Sequence, residues 1–146
     1  MGALRRFGTM TVMATVVAAL VPRSGRILVA RRAPHVPLAG RWEFPGGKVD
    51  AGEPQGAALR RELREEFGVE ARIGALFTES RWASPTSNVR LVAYWTALLS
   101  DVWRLAAHDD VRWVRAEEAL RLDLLPADVP IAERLRNPSV WPPRVG

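Results

Sequence analysis

Apolar positions follow two kinds of pattern along this chain. Met13 to Val21 and Arg26 to Arg31 are almost continuous β-branched and aliphatic runs. The turn residues Pro22-Arg23-Ser24-Gly25 separate them, which predicts two strands joined as a hairpin. Residues 33 to 41, with Pro34, Pro37 and Gly40, read as a loop, and Trp42-Glu43-Phe44 reads as a short strand stopped by Pro45-Gly46-Gly47. From Pro54 to Phe67 the period changes: Leu59, Leu63 and Phe67 recur at i, i+4 and i+8, the core stripe of a helix. Pro54 suits its first turn and Gly68 its left-handed end. Further strands are expected at Ala71 to Trp82, Val89 to Leu99 and Val111 to Val114, with a Ser/Pro/Asn loop at 83 to 88. Short helices are expected at Glu117 to Leu120 and Asp128 to Arg136, before a Pro-rich tail that should fray.

Length and composition narrow the class. At 146 residues the chain suits one domain with its own core. The expected division is a leader at 1–12, a single domain at 13–137 and a flexible tail at 138–146. Arg5 and Arg6 ahead of the apolar run Val12 to Val21 mimic a secretion signal, but Thr15 and the direct passage into a second strand favour a buried strand. No segment approaches the ~20 apolar residues that span a bilayer. There is no Cys, hence no disulfide framework or thiolate metal site, and a cytoplasmic setting is expected. The formal charge is +5, with Lys48 the only lysine. Such a surface steers polyphosphates, but no dense basic run marks a nucleic-acid tail.

The helix carries the chemistry. Glu62, Glu65 and Glu66 fall at i, i+3 and i+4, so they share one face. Two unit charges ~4 Å apart repel by about 4 kcal/mol at an effective dielectric near 20, so such a cluster needs solvation, protonation or a cation. A Glu-Glu pair alone is usually a solvated face. The longer pattern is not: from Gly47, Glu53 follows after five residues, Arg61-Glu62-Leu63 after seven more, then Glu65-Glu66 and Gly68-Val69. Hard oxygen ligands of this kind suit Mg²⁺, bound together with substrate phosphates.

Gly47 to Val69, GKVDAGEPQGAALRRELREEFGV, resembles the Nudix box, with every signature position filled. The resemblance extends over about residues 14 to 136. RRAPHVPLAGRWEFPGGKV is similar to the segment before the box in MutT-like nucleoside triphosphate pyrophosphohydrolases, and EEALRLDLLPADVP to the tail of their CTP-preferring branch. The resemblance implies an α/β (α+β) fold, a Nudix-type α/β/α sandwich with a central mixed sheet. It also implies a Mg²⁺-dependent enzyme, Mn²⁺ being a possible substitute, that hydrolyses nucleoside triphosphates to monophosphate and pyrophosphate. Such displacement needs positioning and charge neutralisation, not a nucleophilic Ser or Cys.

The same resemblance assigns residues. Glu62, Glu65 and Glu66 with the Gly46 carbonyl would hold the metal, Glu62 being the candidate general base. Glu53 and Arg61 would form an orienting pair. Arg32 and Gly47 would meet phosphates, and Asp128, Trp82 and Phe44 would line the base pocket. Asp128 before Val-Pro-Ile also reads as an ordinary helix N-cap, and Phe44 and Trp82 as core aromatics. An acceptor-only carboxylate at 128 would favour an exocyclic amine, as on cytosine. The family often places one more acid six residues before the tryptophan of the last strand. Here that position is Ala107, followed by His108 and Asp109. Asp109 is the candidate replacement, and His108 reads as a surface histidine.

The expected substrate is 8-oxo-dGTP or CTP, dCTP and 5-methyl-dCTP, in nucleotide pool sanitation. ADP-ribose, dinucleoside polyphosphates or NADH are the alternatives within the fold, and a non-catalytic nucleotide-binding module is the alternative outside enzymes. The expected partner is the nucleotide, with neither nucleic acid nor membrane, and the protein would be a monomer or homodimer.

Overall fold

The computed structural model describes residues 13–143. The leader expected at 1–12 and the last three residues lie outside the described residues. Strand β1 spans Ala14–Leu20, β2 Pro22–Arg23, β3 Arg26–Arg32, β4 Trp42–Glu43 and β5 Gly46–Lys48. Helix α1, Gln55–Phe67, precedes the long strands β6, Ala71–Ala83, and β7, Asn88–Leu98. Strand β8, His108–Val114, is followed by helices α2, Ala116–Arg121, and α3, Val129–Arg134.

Two sheets meet between helical layers. One has the order β5-β1-β7-β6, with β1 and β7 parallel and the other pairs antiparallel. In the other, β3 pairs antiparallel with β2, β4 and β8. Val17, Ala19 and Val21 of the first run and Leu28 and Ala30 of the second pack against Leu59, Leu63 and Phe67 of α1. Their neighbours Ala18, Leu20, Ile27 and Val29 pack the opposite way, with Ala119 of α2 and Ile131 and Ala132 of α3. Burial on both faces explains why these strands read as unbroken apolar runs. The result is the α/β/α arrangement with a mixed sheet that the sequence implies.

Three elements differ from expectation. The runs at 13–21 and 26–31 do not pair with each other as a hairpin. Strand β1 pairs with β5 and β7, and only the two-residue β2 turns back on β3, through Ser24 and a left-handed Gly25 with φ 78°. The strand at Trp42–Glu43 does stop before Pro45, but Gly46 and Gly47 then form the further strand β5. The Pro-rich tail is anchored as far as Trp141, whose indole N–H donates to the Leu135 carbonyl at 2.8 Å and whose ring lies 5.6 Å from that of Trp95.

Helix α1 follows its sequence signals closely. Pro54 stands at the N-cap, Ala58, Leu59, Leu63 and Phe67 are buried, and Gly68 ends the helix at φ 67°. Among the described residues, no helix is long and apolar enough to cross a membrane.

Candidate active site

The glycines of β5 bring the backbone against the acidic face of α1. A Cβ on Gly46 would lie 1.9 Å from the Val17 carbonyl oxygen, and one on Gly47 would lie 2.3 Å from the Glu62 carboxyl carbon. The first glycine therefore permits the pairing of β5 with β1. The second makes room for a carboxylate.

Arg61 organises that carboxylate and its neighbours. Its guanidinium donates to both oxygens of Glu53, from Nε at 2.9 Å and Nη2 at 3.0 Å. Its Nη1 donates to Glu62 Oε1 and Glu65 Oε1, each at 3.0 Å, and its Nη2 to the Lys48 carbonyl. The predicted Glu53–Arg61 pair is present and reaches further than a pair. It links the loop before the helix to two of the helix carboxylates.

Glu66 sits deeper. Its Oε1 is buried without a hydrogen-bond partner, and its carboxyl pKa is pushed up to about 8, first by desolvation and then by the charges of Glu62 and Glu43. Glu62 is also raised, mainly by desolvation, with Arg61 pulling the other way. Native proteins seldom leave a buried polar atom unsatisfied without a functional reason. A divalent cation between such oxygens would supply both the missing partner and the missing charge. The residues therefore fit a hard cation, though among the described residues no three acidic or His side chains are already gathered as a ligand set. Glu65 is exposed and held by Arg61, so it would have to turn inward to join.

Beside Glu66 stands a second polar group. Glu43 on β4 accepts from Arg32 Nη1 at 3.0 Å and from His108 Nε2 at 2.8 Å. The His108 side chain is 0% exposed, which corrects its reading as a surface histidine. A β-bulge accounts for this: β3 pairs Arg31 with Asp110 and Arg32 with His108, so Asp109 is the extra residue. Asp109 turns out to Arg31, ion-paired at 2.7 Å, and its carboxyl is held below its usual value by that guanidinium. In this arrangement Asp109 is committed to Arg31.

The base-pocket residues are placed unequally. Asp128 is buried, and its Oδ2 accepts the Phe44 backbone N–H at 2.8 Å. It makes no side-chain cap to α3, so the N-cap reading fails. Burial, then the nearby Glu43, raises its carboxyl well above the usual range. The Phe44 ring lies in the hydrophobic core and offers no free face for stacking. Trp82 is 37% exposed. It lies two residues beyond Ser80, on the same face of β6, and the Ser80 hydroxyl donates to the Ala127 carbonyl at 2.5 Å. Trp82 therefore shares the face of β6 that meets the turn carrying Asp128.

Sequence reasoning missed Glu43, His108 and Ser80. For Glu43 a signal existed: a charged residue between Trp42 and Phe44, both buried, must point to the opposite side of its strand. Nothing local marks the bulge that buries His108.

A mixed sheet between helical layers, with a glycine strand facing clustered glutamates and a guanidinium near them, is an arrangement suited to phosphoanhydride hydrolysis. The chain belongs to the NUDIX domain family, which matches residues 11–135. It is 40% identical over 121 residues to the CTP pyrophosphohydrolase of Escherichia coli K12, covering 83% of this chain and 90% of that protein. It is 42% identical over 116 residues to the putative 8-oxo-dGTP diphosphatase 2 of Mycobacterium tuberculosis H37Rv, covering 77% and 81%. Among solved structures it is similar to the MutT protein of Methanosarcina mazei Go1, with a TM-score of 0.77, 25% identity, and coverage of 88% and 96%. The protein is a Nudix hydrolase acting on nucleotide substrates, in a family whose members generally use divalent metals.

Proposed function

We propose that the protein is a Mg²⁺-dependent pyrophosphohydrolase that converts nucleoside triphosphates to monophosphate and pyrophosphate, with 8-oxo-dGTP or CTP, dCTP and 5-methyl-dCTP as substrates. The observation that carries this reading is the buried, unpartnered Glu66 Oε1 beside Glu62, next to glycines that let the backbone approach the carboxylate. When bound, the metal would neutralise phosphate charge and acidify a water. Glu62, Glu65, Glu66 and the Gly46 carbonyl would hold it.

Glu62 accepts the proton of the attacking water, and Arg61 fixes the carboxylate through Nη1 for that role. Arg32 binds phosphate: Glu43 and the Pro37 carbonyl hold its Nη1 and Nε, and its Nη2 is the donor not used by either. The Gly47 backbone approaches the phosphates where a side chain would meet Glu62. Asp128 and Trp82 contact the base from the β6 side. Burial raises the Asp128 carboxyl above its ordinary range, and its Oδ2 is already engaged by the Phe44 backbone N–H. The enzyme would work in the cytoplasm on the nucleotide pool, as a monomer or homodimer, without nucleic acid or membrane.

Pyrophosphate release from these triphosphates in Mg²⁺ tests the reading. Comparable kcat/KM on ADP-ribose or a dinucleoside polyphosphate would move the substrate class instead.

A further inference from the structure

Arg32 is held by a chain of buried contacts that begins on a different strand. Its Nη1 donates to Glu43 Oε2 at 3.0 Å, and the same oxygen receives His108 Nε2 at 2.8 Å. Exposure falls along the chain: the Arg32 side chain is 21% exposed, Glu43 12% and His108 0%. A carboxylate carries no proton to give, so His108 must be the donor through Nε2. Its Nδ1 is buried without a partner. Ring packing fixes the imidazole: the Phe67 ring is 5.1 Å away at 34°.

The geometry depends on the bulge. Arg32 and His108 are cross-strand partners only because Asp109 is looped out between Arg31 and Arg32 in the β3–β8 register. Without that extra residue His108 would exchange faces with its neighbour. Glu43, opposite Ala30 on β4, is diagonal to Arg32 on the same face. The backbone closes the other side: Arg32 N–H donates to the Arg41 carbonyl at 2.9 Å and Gly40 N–H to the Arg32 carbonyl at 2.9 Å, pinching the 33–41 loop at its base.

We propose that His108 is a positioning residue for phosphate binding, acting through Glu43 to fix the guanidinium of Arg32. His108 need touch neither substrate nor metal. It keeps Glu43 in one rotamer, and Glu43 keeps the arginine from swinging out, so that Arg32 meets a phosphate without first losing side-chain freedom. The inference rests on Arg32 as a phosphate ligand, a part of the proposed function.

The test is a double-mutant cycle read on binding. Affinity for an α,β-methylene nucleoside triphosphate in Mg²⁺ is measured by calorimetry for wild type, His108→Leu, Arg32→Ala and the double variant. His108→Asn, whose amide cannot reach Glu43, takes the place of His108→Leu should leucine unfold the protein. His108→Leu is expected to weaken binding about tenfold in the wild-type background and less than about twofold once Arg32 is gone. His108→Gln, whose amide reaches as far as Nε2, is expected to recover most of the loss. The same loss in both backgrounds, or no loss in the first, would overturn the proposal. A wild-type protein that bound no nucleotide triphosphate would instead sink the functional reading on which it rests.

Discussion

Glu66 is subject to opposed demands: the fold buries it beside two other glutamates, and the proposed chemistry needs it ionised. Its pKa is raised from 4.5 to about 8, and Glu62 and Asp128 are shifted in the same direction. A carboxyl whose folded pKa lies above its unfolded one favours the fold fully below the unfolded value, and that contribution is lost as pH rises through the folded value. Glu53 is shifted the opposite way, so its contribution is lost only at more acidic pH. In chelator, the melting temperature is therefore expected to fall as pH rises from about 5 to about 8, and Glu66→Gln should reduce that slope. Excess Mg²⁺ should flatten it in the wild type. A flat wild-type profile in chelator would contradict the account of Glu66. In kinetics, Glu66→Gln and Glu62→Gln are each expected to lower kcat by several orders of magnitude. Arg61→Lys should lower kcat/KM about tenfold or more, because an ammonium cannot span both Glu53 oxygens and still reach Glu62. Near-normal rates in these variants would refute the assigned roles.

Among the elements, β5 is the most exacting. Its two glycines face different obstacles, so they should fail differently. Gly46→Ala drives a methyl into the backbone oxygen of Val17, which cannot yield without breaking the β1–β5 ladder, and it is expected to lower the melting temperature steeply. Gly47→Ala meets only the end of the Glu62 side chain. It should leave the melting temperature close to wild type while lowering kcat strongly, by displacing that carboxylate. Equal thermal destabilisation by the two would show that Gly47 is there for the strand alone.

Helix α1 was legible in the sequence because its signals are local: a proline before it, a glycine after it, and a regular apolar stripe within. Strand β5 was not, because two glycines and a lysine carry no pattern, and the pairing with β1 is made by backbone alone. The order of β1 and β3 was hidden for a related reason. Strands buried on both faces show no alternation to say which neighbour each pairs with. His108 and Glu43 come together through a bulge and two strand pairings, each set by residues far away in sequence.

At the scale of the molecule, the chain's charge of +5 sits around a site whose own residues are largely acidic. Attraction of a polyphosphate then depends on the surrounding arginines and on the bound cation, so kcat/KM should decline as salt rises from about 50 to about 200 mM while kcat changes little. Salt-independent kcat/KM would show that long-range steering contributes nothing. The two layers of helices divide the site: α1 supplies the clustered carboxylates, and the turn before α3 supplies Asp128. The sheets between them carry Arg32, Glu43 and Trp82.

In the proposed function this site cleaves a nucleoside triphosphate with a cation held by the α1 glutamates. The most direct measurement is pyrophosphate release by the purified protein in Mg²⁺ from CTP, dCTP, 5-methyl-dCTP, 8-oxo-dGTP and ADP-ribose. The expected result is pyrophosphate and monophosphate from at least one of the triphosphates, abolished by chelator and by Glu66→Gln. Release that persists in chelator, or tight nucleotide binding with no turnover of any triphosphate in Mg²⁺ or Mn²⁺, would contradict it.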